Sequence, residues 1–117
     1  MRTQIVIRFV TLFARDIERT AEIYRLLSSD FVQEQHGDEP PHLACVTEKV
    51  VLEIYPGESA ASPGIMIGFS VPNLNDVRSK ILEPGFTVLK NIQADTGMHR
   101  MIVTDPEGRR IFIGAAT

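Results

Sequence analysis

Glu53 stands between Leu52 and Ile54 in an otherwise apolar run, Val50 to Tyr55. Facing a cavity, such a carboxylate is a general base whose pKa burial raises, or a partner for a cationic or hydrogen-bonding ligand. Facing solvent or another subunit, it is a structural group paired with an arginine. Both readings are open at this point. His42 and His99 occupy equivalent places in two similar stretches of chain, which favours rim or structural roles, although with Glu53 they could make an unconventional metal site. His36 lies in the segment HGDEPP and reads as solvated. Thr11 and Ser70 offer weak hydrogen-bonding groups, but neither has a His-Asp constellation near it in sequence, so a nucleophilic triad is a poor fit. No glycine-rich phosphate cradle is present. Cys45, the only cysteine, sits in the apolar run Leu43-Ala44-Cys45-Val46 and reads as a buried, inert thiol.

The elements that must position these groups follow from periodicity. Gln4 to Ala14 is rich in Ile, Val and Phe and reads as a strand. Asp16 can cap a helix whose face is Ile17, Ala21 and Tyr24, extended by Leu27 and stopped by Ser28-Ser29-Asp30. Phe31 to Gln35 is a short strand and His36 to Pro41 a loop. His42 to Val46 and Val50 to Tyr55 form a hairpin about Thr47-Glu48-Lys49. Pro56 to Gly64 is linker-like. The pattern then starts again. Ile65 to Val71 is a strand, and Asn73 caps a helix with the face Leu74, Val77 and Ile81, ended by Pro84-Gly85. Phe86 to Asn91 is a strand and Gln93 to Gly97 a loop. His99 to Thr104 and Arg110 to Gly114 are strands joined by the turn Asp105-Pro106-Glu107-Gly108.

The two halves share a register. Val10, Leu12, Ala14, Asp16 and Ile17 match Ile67, Phe69, Val71, Asn73 and Leu74 at an offset of 57 residues. Phe31 matches Phe86 at 55, His42 matches His99 at 57, and Leu52 and Ile54 match Ile111 and Ile113 at 59. A two-residue deletion, a loop two residues longer before His99, and a hairpin turn two residues longer account for the changes. Matching order and register together point to a duplication. The expectation is an α+β fold of two βαβββ modules in one domain spanning 1–117: module one 1–57, linker 56–64, module two 64–117. Each helix covers one sheet face, burying Val10 and Leu12 or Ile67 and Phe69. The other face stays concave and open. Phe9, Phe13, Met66 and Phe112 alternate onto it and line an apolar pocket, with Tyr55 continuing the Glu53 face at the rim.

Composition limits the partners. With 44% hydrophobic and 23% charged residues, the chain is globular. A net charge of −3 argues against nucleic acid, and the adjacent Arg109 and Arg110 read as a solvated turn. No apolar run approaches the roughly 20 residues that span a bilayer. Arg8 and Arg15 interrupt any signal-peptide pattern, and a single cysteine allows no intrachain disulfide, so the expected compartment is the cytoplasm.

Three segments, in order, resemble the vicinal oxygen chelate superfamily, the glyoxalase, bleomycin-resistance and extradiol-dioxygenase group. The first is Val10-Thr11-Leu12-Phe13-Ala14-Arg15-Asp16-Ile17-Glu18 with Ile23-Tyr24, similar to the group's opening strand and helix start. The second is Ile67-Gly68-Phe69-Ser70-Val71-Pro72-Asn73-Leu74-Asn75-Asp76-Val77. The third is Asp105-Pro106-Glu107-Gly108-Arg109-Arg110-Ile111-Phe112-Ile113, similar to its closing motif. The resemblance implies metal ligands on the first and last strand of each module, here Phe9, Glu53, Met66 and Phe112. Phenylalanine has no donor atom and methionine is a soft thioether, so only Glu53 could ligate a hard or borderline metal. This implies the metal-free, drug-sequestering branch. The expected ligand face is Phe9, Thr11, Phe13, Glu53, Tyr55, Met66, Ser70 and Phe112, with no cofactor and a small-molecule ligand. Glu53 is the one catalytic candidate if the protein is instead a lyase, isomerase or dioxygenase-like enzyme. The resemblance also implies a homodimer with cavities near its interface.

Overall fold

The computed structural model of the protein describes residues 5–28, 30–58, 65–84, 86–93 and 99–115, the side chains of Ser28, Ile92, Gln93 and His99 excepted. The elements run β1 (Phe9–Ala14), α1 (Ile17–Ser28), β2 (Val32–Glu34), β3 (His42–Thr47), β4 (Val50–Pro56), β5 (Met66–Val71), α2 (Leu74–Leu82), β6 (Val88–Gln93), β7 (His99–Thr104) and β8 (Arg110–Ala115). They form two four-stranded sheets with the same topology, β1-β4-β3-β2 and β5-β8-β7-β6. In each, the first strand runs parallel to the last and the other pairs are antiparallel. This is the α+β arrangement of repeated βαβββ units that the sequence predicts.

Local chemistry explains the helix starts. The Asp16 carboxylate accepts the Arg19 backbone N–H at 3.1 Å, and the Asn73 side chain accepts that of Asp76 at 3.0 Å. Leu74, Val77 and Ile81 are the buried face of α2, as their spacing requires. Strand alternation is equally regular. Leu12 and Ala14 in β1 and Leu52 and Ile54 in β4 point inward, while Phe9 and Phe13 remain exposed.

Two strands, the first and the sixth, depart most from expectation. The first strand begins at Phe9 rather than Gln4, and Gln4 itself lies outside the described residues. Its parallel partner β4 begins at Val50 and its pairing with β1 opens at Phe9↔Val51, so Ile5, Val6 and Ile7 have no strand to pair with and are exposed. The sixth strand is Val88–Gln93 instead of 86–91, because its register with β7 runs from Gln93↔His99 through an irregularity at Val88/Lys90. Phe86 packs against the core instead. Linker residues 59–64, helix-ending Ser29 and Gly85, and loop residues 94–98 lie outside the described residues.

A single core joins both modules. Leu12, Ile23, Tyr24 and Ile54 from the first cluster with Ile81, Met101, Ile111 and Ile113 from the second. The helices touch each other, α1 packing also on β1, β3 and β4, and α2 on β8. The Tyr24 ring lies 6.2 Å from that of Phe69. Cys45 is buried on the same inner face. Polar groups fasten the junction. The Tyr24 hydroxyl donates to Asp105 Oδ2 at 2.7 Å, and Asp105 Oδ1 accepts the backbone N–H groups of Glu107 and Arg109 at 2.8 and 3.0 Å. Arg109 is therefore not part of a solvated turn. Its guanidinium pairs with Asp105 at 3.1 Å, is mostly buried, and donates to the Phe13 carbonyl of module one. No helix among the described residues is long and apolar enough to cross a membrane.

Candidate functional site

The open face of the first sheet is set by strand parity. Because β1 and β4 pair Phe9↔Val51, Thr11↔Glu53 and Phe13↔Tyr55, these six side chains share one surface. Antiparallel pairing Ala44↔Glu53 and Glu34↔His42 adds His42 and Glu34 to it. A hollow of about 530 Å³ is lined by Phe9, Thr11, Phe13, Glu53 and Tyr55, with His36 and Glu39 from the loop after β2.

Glu53 is the centre of this face. The Thr11 hydroxyl donates to its Oε1 at 3.1 Å, and Oε2 lies 3.8 Å from His42 Nε2. Glu53 has no arginine partner among the described ion pairs, so of its two expected readings the arginine-paired one is absent there. The Phe13 and Tyr55 rings are tilted at 50° with centroids 6.4 Å apart. Tyr55 also stacks flat on His42, at 4.0 Å and 9°, and its hydroxyl donates to Glu39 at 3.1 Å. Partial burial, then the bond to Glu39 and the charges of Glu39, Glu53 and Glu34, push the Tyr55 hydroxyl up to about 12. It stays a hydrogen-bond donor throughout the physiological range.

The remaining expected site residues lie on the second sheet. Met66 and Ser70 are on β5, Phe112 on β8, and Gly68 pairs with Phe112. Ser70 and Gly68 border a cleft of about 600 Å³ between the modules, walled by Val10, Leu27, Leu52 and Phe69. Lys90, Ile102 and Arg110 line a smaller hollow on the second sheet. The chain by itself thus gathers Phe9, Thr11, Phe13, Glu53 and Tyr55 in one hollow, and holds Met66, Ser70 and Phe112 apart from it.

The histidines divide. His42 is fully buried beneath Tyr55, a core position on the inner hairpin rather than a rim one. His36 is exposed as expected, yet it contacts Glu34 Oε2 at 3.0 Å and its ring lies 5.3 Å from that of His42. The His99 side chain lies outside the described residues. Glu34 and Glu39 were not distinguished by the sequence. The available signal was parity: Glu34 and His42 are opposed if the HGDEPP loop closes a hairpin.

The four positions at which the resemblance implies metal ligands do not fit a metal here. Phe9 and Phe112 offer no donor and Met66 only a thioether, leaving a single carboxylate at Glu53.

No protein-family model matches the sequence, and no curated protein matches it. Solved structures do. The glyoxalase/bleomycin resistance protein from Catenulispora acidiphila is similar at 20% identity and TM-score 0.69, covering 96% of this chain and 99% of its own. Fosfomycin resistance protein FosX from Mesorhizobium loti aligns at 13% identity and TM-score 0.73, covering 99% and 95%. Oxidase ChaP-H2 aligns at 16% identity and TM-score 0.75, covering 98% and 96%. Likeness along nearly the whole chain, with the duplicated sheet topology, shows that this protein has the vicinal oxygen chelate fold of the glyoxalase/bleomycin resistance/dioxygenase group.

Proposed function

We propose that this protein binds a small, partly aromatic molecule on the open face of its first sheet. In this reading a second copy of the chain completes the cavity, and no metal occupies the four positions the fold group uses. The observation that carries it is a carboxylate, Glu53, held by Thr11 among Phe9, Phe13 and Tyr55 in one hollow. Aromatic walls around a fixed acceptor suit a ligand with a ring and a cationic or hydrogen-bond-donating group. The acidic surroundings, Glu34, Glu39 and Glu53, favour the same class. Solved neighbours named for bleomycin and fosfomycin resistance support a role in handling small molecules.

The dimer rests on exposed apolar surface. Phe9 is 61% exposed, and Phe13 and Met66 are 49% exposed, on faces that a lone chain leaves in water. The second sheet offers Lys90 and Arg110 beside its hollow, opposite in charge to the acidic face of the first. Apposition of the two faces in a homodimer would bring Phe112 and Met66 to the Glu53 hollow.

A thermal-shift screen of aromatic amines and amides tests the reading. A stabilising compound should lose its effect in Glu53→Ala and in Phe112→Glu. Unchanged stabilisation in both variants would remove the cavity assignment. The second reading is a lyase or isomerase with Glu53 as base, supported by the His42 and Glu34 groups beside it and by a neighbour named lactoylglutathione lyase.

A further inference from the structure

His42 Nδ1 lies 3.3 Å from the Pro40 carbonyl, which can only accept, so Nδ1 carries the proton. In the neutral ring Nε2 then presents a lone pair. That nitrogen is buried, and among the described residues it finds no hydrogen-bond partner. It faces two acceptors instead, Glu34 Oε2 at 3.7 Å and Glu53 Oε2 at 3.8 Å. A lone pair aimed at two carboxylates in a buried place is repulsive unless a cation stands between them. His36 Nε2 reaches the same Glu34 oxygen at 3.0 Å. One donor atom from each of Glu34, His36 and His42 lies within 4.8 Å of the others. In a tetrahedral zinc site with bonds of about 2.0–2.1 Å, donors stand about 3.3 Å apart. The two separations from Glu34 Oε2, 3.0 Å to His36 and 3.7 Å to His42, stand on either side of that value.

We propose that Glu34, His36 and His42 bind one divalent transition-metal ion. The two imidazoles and one carboxylate select a borderline ion such as Zn(II), Co(II) or Ni(II) over Mg(II) or Ca(II). The Pro40 carbonyl is the outer partner that orients His42, and Tyr55 stacks against the ring to hold its plane. Three protein ligands leave an open position, with Glu53 beside it. The site uses β2, its following loop and β3, and shares no ligand with the set Phe9, Glu53, Met66 and Phe112. It goes beyond the ligand-binding reading and does not depend on it.

The test is titration of the chelator-treated, full-length protein with Co(II) alone, followed by visible absorption, and with Zn(II) alone, followed by calorimetry. One equivalent of Co(II) should give the intense d–d bands of a four-coordinate ion, and Zn(II) should displace it. Removal of even outer-shell partners typically weakens metal binding about 10–100-fold, so Glu34→Gln and His42→Ala should lose at least that much. His36→Ala should weaken binding. If His42→Ala does not fold, Glu34→Gln on the edge strand carries the test. Absence of stoichiometric binding would overturn the proposal. So would weak uptake of several equivalents that is the same in every variant, or retention of the buried position by a second proton on His42 alone, seen as unchanged imidazole NMR signals on adding metal. Ligand stabilisation that persists in Glu34→Gln but fails in Glu53→Ala separates the failure of this site from the failure of the ligand face.

Discussion

The Tyr24 hydroxyl is enclosed by the core and donates to Asp105 Oδ2 at 2.7 Å, across the junction between the modules. Tyr24→Phe should cost about 1.5–3 kcal/mol, the range for a hydrogen bond to a charged group, measured by urea denaturation. Asp105→Ala should cost more, because it strips Arg109, Tyr24 and two backbone N–H groups of one shared acceptor. The same residue predicts a pH dependence. Burial first, then the charge and hydrogen bond of Asp105, push the Tyr24 hydroxyl above its ordinary value, and Arg109 opposes them. Below about pH 10 tyrosine is protonated in both folded and unfolded chains, and the stabilisation is fully present. Above that, the unfolded chain releases a proton that the folded one keeps, so stability falls as pH rises, by up to about 1.4 kcal/mol per pH unit for this group. Between about pH 9 and pH 11.5 the parent should lose stability more steeply than Tyr24→Phe. Equal slopes would contradict the assignment.

At the scale of elements, α2 is nine residues long, too short to persist alone, so its stability comes from one buried face and one cap. Asn73→Ala should cost about 1 kcal/mol and Asn73→Asp close to nothing, since either side chain can accept the Asp76 N–H. Ile81→Ala, at a fully buried position, should cost about 2–5 kcal/mol. Denaturation midpoints at constant m-value check all three. These features were legible in sequence because helix faces and caps are local patterns. The start of β1 was not legible from its Ile-Val-Ile run. Propensity marks chain able to be a strand, while pairing needs a partner, and β4 has no residues opposite 5–7.

The whole molecule presents two open sheet faces with exposed Phe9, Phe13 and Met66. A homodimer is therefore expected by sedimentation at micromolar concentration, with a melting temperature that rises with protein concentration. A concentration-independent monomer would refute the dimer and leave the Phe112 arm of the ligand test without a basis.

The amino-acid sequence by itself determined the duplication, the strand parity that puts Glu53 with Phe9 and Phe13, and the residue types, two phenylalanines, a thioether and one carboxylate, at the four positions where the resemblance implies metal ligands. Each depends on spacing within one strand or helix, or on matching spacing in its repeat. Tertiary structure alone decided that Arg109 belongs to the junction rather than to solvent, and that His42 is buried beneath Tyr55. It also decided that Glu34 and His36 meet His42 at the edge of the Glu53 hollow. Those outcomes depend on how a loop returns a strand to its neighbour and how two helices pack, and such distances are not written in any local period. The lone carboxylate left at the fold group's metal positions was readable from residue types. The second set of donors beside it became visible only when the hairpin closed.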